Sequence, residues 1–374
     1  MSLNQAHPDG AAGGRLFVDL AALAENFRLI AGRVAPARVA AVVKADAYGL
    51  DAAAVAPVLY AAGCRDLFVA HLSEALVLKP GLPGDATIYV LNGIMPGGEE
   101  AGANAGVVPV INSVEQAAAW QASAEHRQRP LAAVLQVDSG MSRLGVSAED
   151  AARLAQDRAF RDHVPLVMVM SHLACAETQH HAANARQRST FEALADLFPG
   201  VPRSLANSGA AFLPSEFHGD VVRAGIALYG GAPTDSQVNP MRPVVRLEAR
   251  VIQVRSIPAG TSVGYGFTFT ADREIRIATI AVGYADGWLR SSSNRGSAWF
   301  SGVRLPILGR VSMDCMTVDI TQVPDGALNA GDWVELIGPS QSIDDVAADA
   351  GTIAYEVLVR LGDRFDRVHL SQSD

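Results

Sequence analysis

Between Arg38 and Gly231, short apolar runs alternate with alanine-rich segments of helical period, and this alternation constrains the fold more than any other feature. The runs are RVAAVVK, DLFVAHL, ATIYVLN, VVPVIN, LAAVLQV, LVMVMSHL, RSLANS and VVRAGIALYG. Near-continuous hydrophobicity over so few residues marks a strand covered on both faces, as in a parallel sheet. Segments such as DAAAVAPVLYAAG, VEQAAAWQASAEHRQ, SAEDAARLAQDRAF and NARQRSTFEALADLF lie between them and repeat small and apolar residues at helical spacing. Strands and helices alternating in this way predict a (β/α)8 TIM-type barrel, with an open doubly wound sheet as the competing arrangement.

After Pro233 the texture changes. VVRLEARVIQVRSI, EIRIATIAVGYA, AWFSGVRLPILG, CMTVDI and DWVELIG are β-like and separated by glycine, proline and aspartate, and only the stretch from Ile343 to Leu361 reads as helical. The expected organisation is a flexible tail over 1–14, the barrel over 15–240 and a β-rich C-terminal domain over 241–374. The early run RLFVD, Arg15 to Asp19, is a strand able to pair with either domain. A chain of 374 residues exceeds what one core usually serves. A net charge of −9 argues against nucleic acid as a partner. No apolar run is long enough to span a bilayer, and the N-terminus lacks the apolar core of a signal peptide. Cys64, Cys175 and Cys315 form no CxxC pair, which argues against disulfides and structural zinc. A cytoplasmic protein that binds no metal follows.

In a barrel, chemistry gathers at the C-terminal ends of the strands. The first run ends in Lys44, with Tyr48 four residues on. A lysine closing a buried strand has an amine that desolvation drives toward its neutral, nucleophilic form, the setting of a Schiff-base lysine. A stem packed on apolar surface with its head in water is the alternative. The fifth run leads into Asp138-Ser139-Gly140-Met141-Ser142-Arg143 and the sixth ends at His172. The seventh ends in Asn207-Ser208-Gly209, small residues that let backbone N–H groups approach an anion. The eighth carries Arg223, then Gly225 and Ile226. Each residue alone has a plainer reading. Arg143 can pair with Asp138, Ser208 can be a helix N-cap, His172 a buried structural histidine and Tyr48 a packing aromatic. His180 and His181 read as a solvated helix start. No GxGxxG follows a strand and no Walker loop is present, which disfavours dinucleotide and nucleotide binding.

Taken together, AVVKADAYG, VDSGMSRLG, ANSGA, VRAGIALYGG, VGYGFTF, AVGYADG, LGRVSMDCM and GTIAYEVLVR resemble the alanine racemases, pyridoxal-phosphate enzymes built from an α/β barrel and a β domain. The resemblance spans nearly the whole chain. It implies that Lys44 holds pyridoxal 5'-phosphate as an aldimine, and that Tyr48, Asn207, Ser208, Gly225, Ile226 and Tyr355 bind its phosphate end. Arg223 would lie against the pyridine nitrogen, Arg143 near the phenolic oxygen and the substrate, and His172 beside the ring. Tyr265 would be the second catalytic base. Family members are homodimers, and Tyr265, with Tyr284 and Met313 as substrate contacts, would reach the partner's site. Racemisation removes a proton from one face of Cα and returns one to the other, so one base on each face is the direct solution. An arginine at the pyridine nitrogen donates no full proton, which weakens the electron sink and limits side reactions.

The sequence departs from the family at four positions. Gln136 stands where many members carry a lysine modified to a carbamate that braces the arginine. A glutamine carbonyl there can accept a hydrogen bond from Arg143 but carries no negative charge. Leu50 replaces a histidine, Ala224 a proline and Ser204 a histidine. The implied reaction is interconversion of L- and D-alanine. A broader amino-acid racemase, a pyridoxal-phosphate carrier without turnover, and a decarboxylase of the same plan are the alternatives. Tyr265 argues against the carrier, and Arg223 against the decarboxylase, which uses an acidic residue at that place.

Overall fold

The computed structural model describes residues 11–235 and 238–371. The chain divides into two units, one of Ala24–Leu228 and Ala232–Met241, the other of the residues up to Leu23, Tyr229–Gly231 and Arg242 onward. Most of the expected tail lies outside the described residues, and Gly14 already opens the first strand.

The first unit is a barrel. Its strands are β2 (Arg38–Val42), β3 (Asp66–Val69), β4 (Thr87–Val90), β5 (Val108–Ile111), β6 (Ala133–Gln136), β7 (Leu166–Met170), β8 (Arg203–Ser204) and β9 (Val221–Ala224). All the pairs are parallel, in the order β8-β7-β6-β5-β4-β3-β2-β9. Asp220 N donates to Arg203 O at 2.8 Å and Arg223 N to Ala206 O at 3.0 Å, joining β9 to β8 and closing the ring. That closure decides against the open sheet. The short runs form strands because both faces are covered: β3 and β6 are buried at every position. Helix starts are fixed locally. Ser113 accepts from Gln116 N ahead of Val114–His126, and Ser147 from Asp150 N ahead of Ala148–Gln156. After β8 and β9 full helices give way to the 3-10 turns Ala210–Phe212, Ser215–Phe217 and Ile226–Tyr229.

The second unit is a β structure. β1 (Gly14–Asp19) lies in its sheet, antiparallel to β10 (Val245–Ile257) and parallel to β18 (Asp366–Leu370). β13 (Ile275–Ile280), β14 (Ser297–Phe300), β15 (Val303–Leu308), β16 (Met316–Asp319) and β17 (Trp333–Ile337) complete it, in the order β13-β16-β15-β14-β17-β10-β1-β18. β10 also pairs with β13, its register shifting between Val251 and Gln253, so one long strand joins β17 and β1 within the sheet and also closes back on its first strand. The small hairpin β11 (Ser262–Val263) and β12 (Phe269–Thr270) projects a turn that carries Tyr265. Ile343–Ala350 and Ala354–Arg360 are helices, the second holding Tyr355. Among the described residues no helix is long and apolar enough to cross a membrane, and no group of three or more His, Cys, Asp or Glu is placed to hold a metal ion.

Candidate active site

Lys44 follows directly on β2, whose ladder ends with Val43 N donating to Phe68 O at 2.8 Å. The next four residues, Ala45, Asp46, Ala47 and Tyr48, all adopt left-handed backbone with φ of 53–59°. None is glycine, and such a conformation costs roughly 1–2 kcal/mol per residue. The turn is held from outside. Glu74 accepts the Ala45 N–H at 2.6 Å, Asp46 Oδ1 accepts Ala52 N at 2.8 Å, and Ala47 and Tyr48 are buried. Burial lowers the Lys44 pKa below that of an ordinary lysine. The Arg143 charge lowers it further, and the Glu74 carboxylate opposes both.

Arg143 is delivered by the loop after β6. Asp138 Oδ1 accepts the N–H groups of Gly140, Met141 and Ser142 at 2.9, 3.1 and 3.1 Å. Asp138 is therefore a turn-builder, and among the described residues no ion pair joins it to Arg143. The contact between Gln136 and Arg143 that the sequence allows does not form either. Gln136 is buried at the end of β6 and its amide Nε2 donates to Leu144 O at 3.3 Å, which aims the side chain at the loop backbone.

Arg223 is 3 % exposed, and among the described residues no carboxylate pairs with it. Its Nη1 donates to Ser204 O at 2.9 Å and Ser204 Oγ at 2.6 Å, and its Nη2 to Ser171 O at 2.6 Å. Nη2 also lies 3.2 Å from His172 Nδ1. A guanidinium only donates, so Nδ1 must accept and the ring proton sits on Nε2. Burial first, then the charges of Arg223, Arg143 and Lys44, push the His172 pKa down to about 3, so the imidazole is neutral. Burial alone brings the Arg223 pKa down to about 10. With its four Nη protons engaged, Arg223 has its Nε–H left for an incoming acceptor.

Ser208 is not the helix cap that its position suggests. Asn207 Oδ1 does the capping, accepting Ala210 N at 3.0 Å. Ser208 Oγ accepts Gly225 N at 2.8 Å and Ala227 N at 3.3 Å, which ties the end of β8 to the turn after β9 and leaves its own proton to donate. A Cβ on Gly225 would collide with the Tyr48 hydroxyl, so Tyr48 reaches over this turn only because residue 225 is glycine. Ile226 opens the 3-10 turn Ile226–Tyr229, where first-turn N–H groups lack intrahelical partners. The barrel unit thus gathers Lys44, Tyr48, Arg143, His172, Asn207, Ser208, Arg223, Gly225 and Ile226.

Tyr265, Tyr284, Met313 and Tyr355 belong to the β unit, and all four are exposed. Tyr284 and Met313 are brought together: Tyr284 N donates to Ser312 O at 3.0 Å and Ala285 N to Met313 O at 2.9 Å. Gly283 makes this approach possible, since a Cβ there would strike the Ser312 and Met313 carbonyls. Arg364 clamps the same two segments, donating to Asp286 and Asp314 at 2.7 Å each. Glu74, Ser171, Gln187, Asp286 and Arg364 carry no site signal in the sequence, and Ser204 shows there only as a replaced histidine. Gln187 holds the chain after β7, accepting Ala174 N at 2.9 Å and donating to His172 O at 3.0 Å. His181 caps Ala182–Ala195 by accepting from Ala183 N. Only the acid three residues into Leu72–Leu78 gave a hint of Glu74.

Residues 18–233 match the alanine racemase N-terminal domain and residues 244–369 the alanine racemase C-terminal domain. A protein of Agrobacterium fabrum (strain C58) named alanine racemase, catabolic, is 49% identical over 370 residues, 99% of this chain and 95% of its own length. The alanine racemase of Brucella canis is 50% identical over 383 residues, covering 99% of this chain and 97% of its own. The crystal structure of alanine racemase from Bartonella henselae with covalently bound pyridoxal phosphate superposes with a TM-score of 0.93 at 42% identity, over 96% of this chain and 100% of that one. Matched in both its barrel and its β unit, the chain belongs to the alanine racemase family.

Proposed function

We propose that Lys44 and Tyr265 are the two bases of the reaction and that each active site is completed by a second copy of the chain. The enzyme interconverts L- and D-alanine and depends on pyridoxal 5'-phosphate. The barrel residues suit that group. A buried guanidinium with no carboxylate partner among the described residues has one N–H left, which matches a ring nitrogen that accepts. The Ser208 hydroxyl, whose own proton is left to donate, and the Tyr48 hydroxyl, which lies over the side-chain-free Gly225, match a phosphate. Ser208, Asn207, Gly225, Ile226, Tyr48 and Tyr355 would hold the phosphate end and Arg223 the ring nitrogen, with neutral His172 beside the ring and Arg143 near the phenolic oxygen and the substrate. When bound, the cofactor supplies the electron sink that makes the alanine Cα–H acidic.

The observation that carries the assignment is the Lys44 amine, which burial and Arg143 bias toward the neutral form a base requires. Once free, that amine takes the proton from one face of Cα or returns it. Tyr265 serves the opposite face. Tyr265 is 71 % exposed and shares its turn with the equally exposed Phe267, large apolar side chains suited to cover by another subunit. A two-fold homodimer makes both sites equivalent. The protein works in the cytoplasm, in keeping with three free cysteines. Chiral chromatography of L-alanine incubated with the enzyme tests the reaction. Mixing Lys44→Ala with Tyr265→Ala protein tests the shared site. Activity returns if subunits exchange; a fully active verified monomer excludes the shared site.

A further inference from the structure

Beyond its place in a helix cap, Glu74 makes a contact that capping does not require. A capping glutamate reaches back to the N-cap N–H. Glu74 Oε2 does so, accepting His71 N at 3.0 Å and Ala70 N at 2.6 Å, both from the chain leaving β3. Its Oε1 instead accepts Ala45 N at 2.6 Å, from the chain leaving β2. β2 and β3 pair in parallel up to Val43 N and Phe68 O, and there the ladder stops. The carboxylate bridges the two strand ends where backbone pairing gives out. The Ala45 N–H opens the left-handed turn Ala45–Tyr48 and has no earlier residue of that turn to bond.

We propose that Glu74 is the positioning residue for Lys44: by taking Ala45 on one oxygen and Ala70 and His71 on the other, it fixes where Lys44 leaves β2. Both oxygens must accept, so glutamine, with one oxygen, cannot replace it fully. Bonds from N–H to a carboxylate are the stronger kind, and a turn strained at four successive residues needs such an anchor. The same carboxylate is the negative charge facing Lys44. Arg143, from the loop after β6, faces it with positive charge, and His172, after β7, is neutral. The proposal rests on the reading of Lys44 as the cofactor-bearing residue.

The test measures how fast apoprotein takes up pyridoxal 5'-phosphate, by absorbance, from about pH 6 to 10, a range in which a lowered lysine loses its proton. The unsubstituted rate rises with pH as Lys44 becomes neutral. Glu74→Gln removes the charge that favours the ammonium, so its rise moves about one pH unit lower. Its plateau falls about tenfold because Lys44 is no longer held in place. Glu74→Asp keeps the charge but shortens the reach, so its midpoint stays while its plateau falls. A Glu74→Gln profile that superimposes on the unsubstituted one in midpoint and plateau overturns the proposal. Should Glu74→Gln not fold, a Glu74→Asp plateau within about twofold of the unsubstituted one overturns it. Lys44→Ala separates the two readings. Unchanged uptake by that variant defeats the Lys44 assignment, whereas lost uptake beside unaffected Glu74 variants defeats only the role of Glu74.

Discussion

Arg223 in the barrel is 3 % exposed and commits its Nη protons to Ser204, Ser171 and His172, whereas Tyr265 in the β unit is 71 % exposed on a hairpin turn. Arg223 and His172 are desolvated and bonded to each other within the barrel unit, where burial and neighbouring charge lower the Lys44 pKa and keep His172 neutral. The β unit orders the backbone beneath its residues through Arg364 and leaves the side chains outward. On the proposed reading, one unit holds and tunes a bound group, and the other presents chemistry to something that must come to it. If this division is right, damage to the barrel removes the cofactor, and damage to the β unit away from Tyr355, the proposed phosphate contact, removes turnover alone.

The largest effect is expected from Lys44→Ala. Activity should fall on the order of 10⁴-fold or more, and the cofactor should leave on desalting. Borohydride reduction and peptide mapping of the unsubstituted enzyme should place the label on Lys44, and a label on Lys79 breaks the assignment. Tyr265→Phe comes next. It removes the ionisable hydroxyl from the β unit, so activity should fall by about 10²–10⁴-fold while absorbance of the bound cofactor persists. Loss of the cofactor from this variant would erase the contrast between the units.

Gly225→Ala sharpens the barrel side. The added methyl meets the Tyr48 hydroxyl, and the turn or the tyrosine must shift. Cofactor affinity, read by fluorescence titration, should weaken by about 10- to 100-fold, with turnover at saturating cofactor much less affected.

How much of this is legible in sequence also differs between regions. The barrel strands are visible because strands covered on both faces become apolar runs, as in β3 and β6. β8 is the exception. It keeps only Arg203 and Ser204 in the ladder because the chain turns at once into the Asn207 cap. Ser208 looks like that cap, and only the fold reveals that its hydroxyl bonds across to β9. The left-handed turn after Lys44 has no signature, since Ala45, Asp46, Ala47 and Tyr48 carry none of the glycine that marks positive φ. Glu74 was out of reach for another reason: its contact with Ala45 spans 29 positions, and local pattern shows only a helix start. Gln136 misled by analogy. Its position suggested a contact with Arg143, but the Leu144 carbonyl takes its amide.

The neutral His172 makes a prediction about pH. Its folded pKa, about 3, lies below the ordinary value of 6.5. As pH falls through that ordinary value, the unfolded chain takes up a proton and the folded chain does not. The stability contribution is thus fully present above about pH 6.5 and lost as pH falls toward about 3. At pH 5 the loss is ~2 kcal/mol. His172→Asn keeps an acceptor for Arg223 without the titration. Urea unfolding of apoprotein should show the unsubstituted protein losing stability relative to this variant between about pH 7 and 5. Parallel curves would mean that the ring is charged or solvated in the folded chain.

The smallest effect belongs to the β unit and tests its half of the comparison. Arg364 is half exposed, yet Asp286, one of its two partners, is buried and also accepts Gly283 N at 2.8 Å. Arg364→Ala leaves that carboxylate with the backbone bond alone and releases Asp314, an exposed partner. Solvent reaches the guanidinium, so the stability loss should stay near 1 kcal/mol. The functional loss has a particular form. Tyr284 and Met313 sit on the segments that Arg364 joins, and they are the proposed substrate contacts, while no group that holds the cofactor is touched. KM for alanine should rise by about 3- to 10-fold, with cofactor affinity unchanged. Arg364→Lys should recover only part of the effect, because one ammonium cannot reproduce the two-armed geometry that reaches both Asp286 and Asp314. A variant that instead loses cofactor affinity with KM intact would show that the segments Arg364 joins, and not Tyr355 alone, hold the bound group from the β unit, and the division of labour between the units would have to be redrawn.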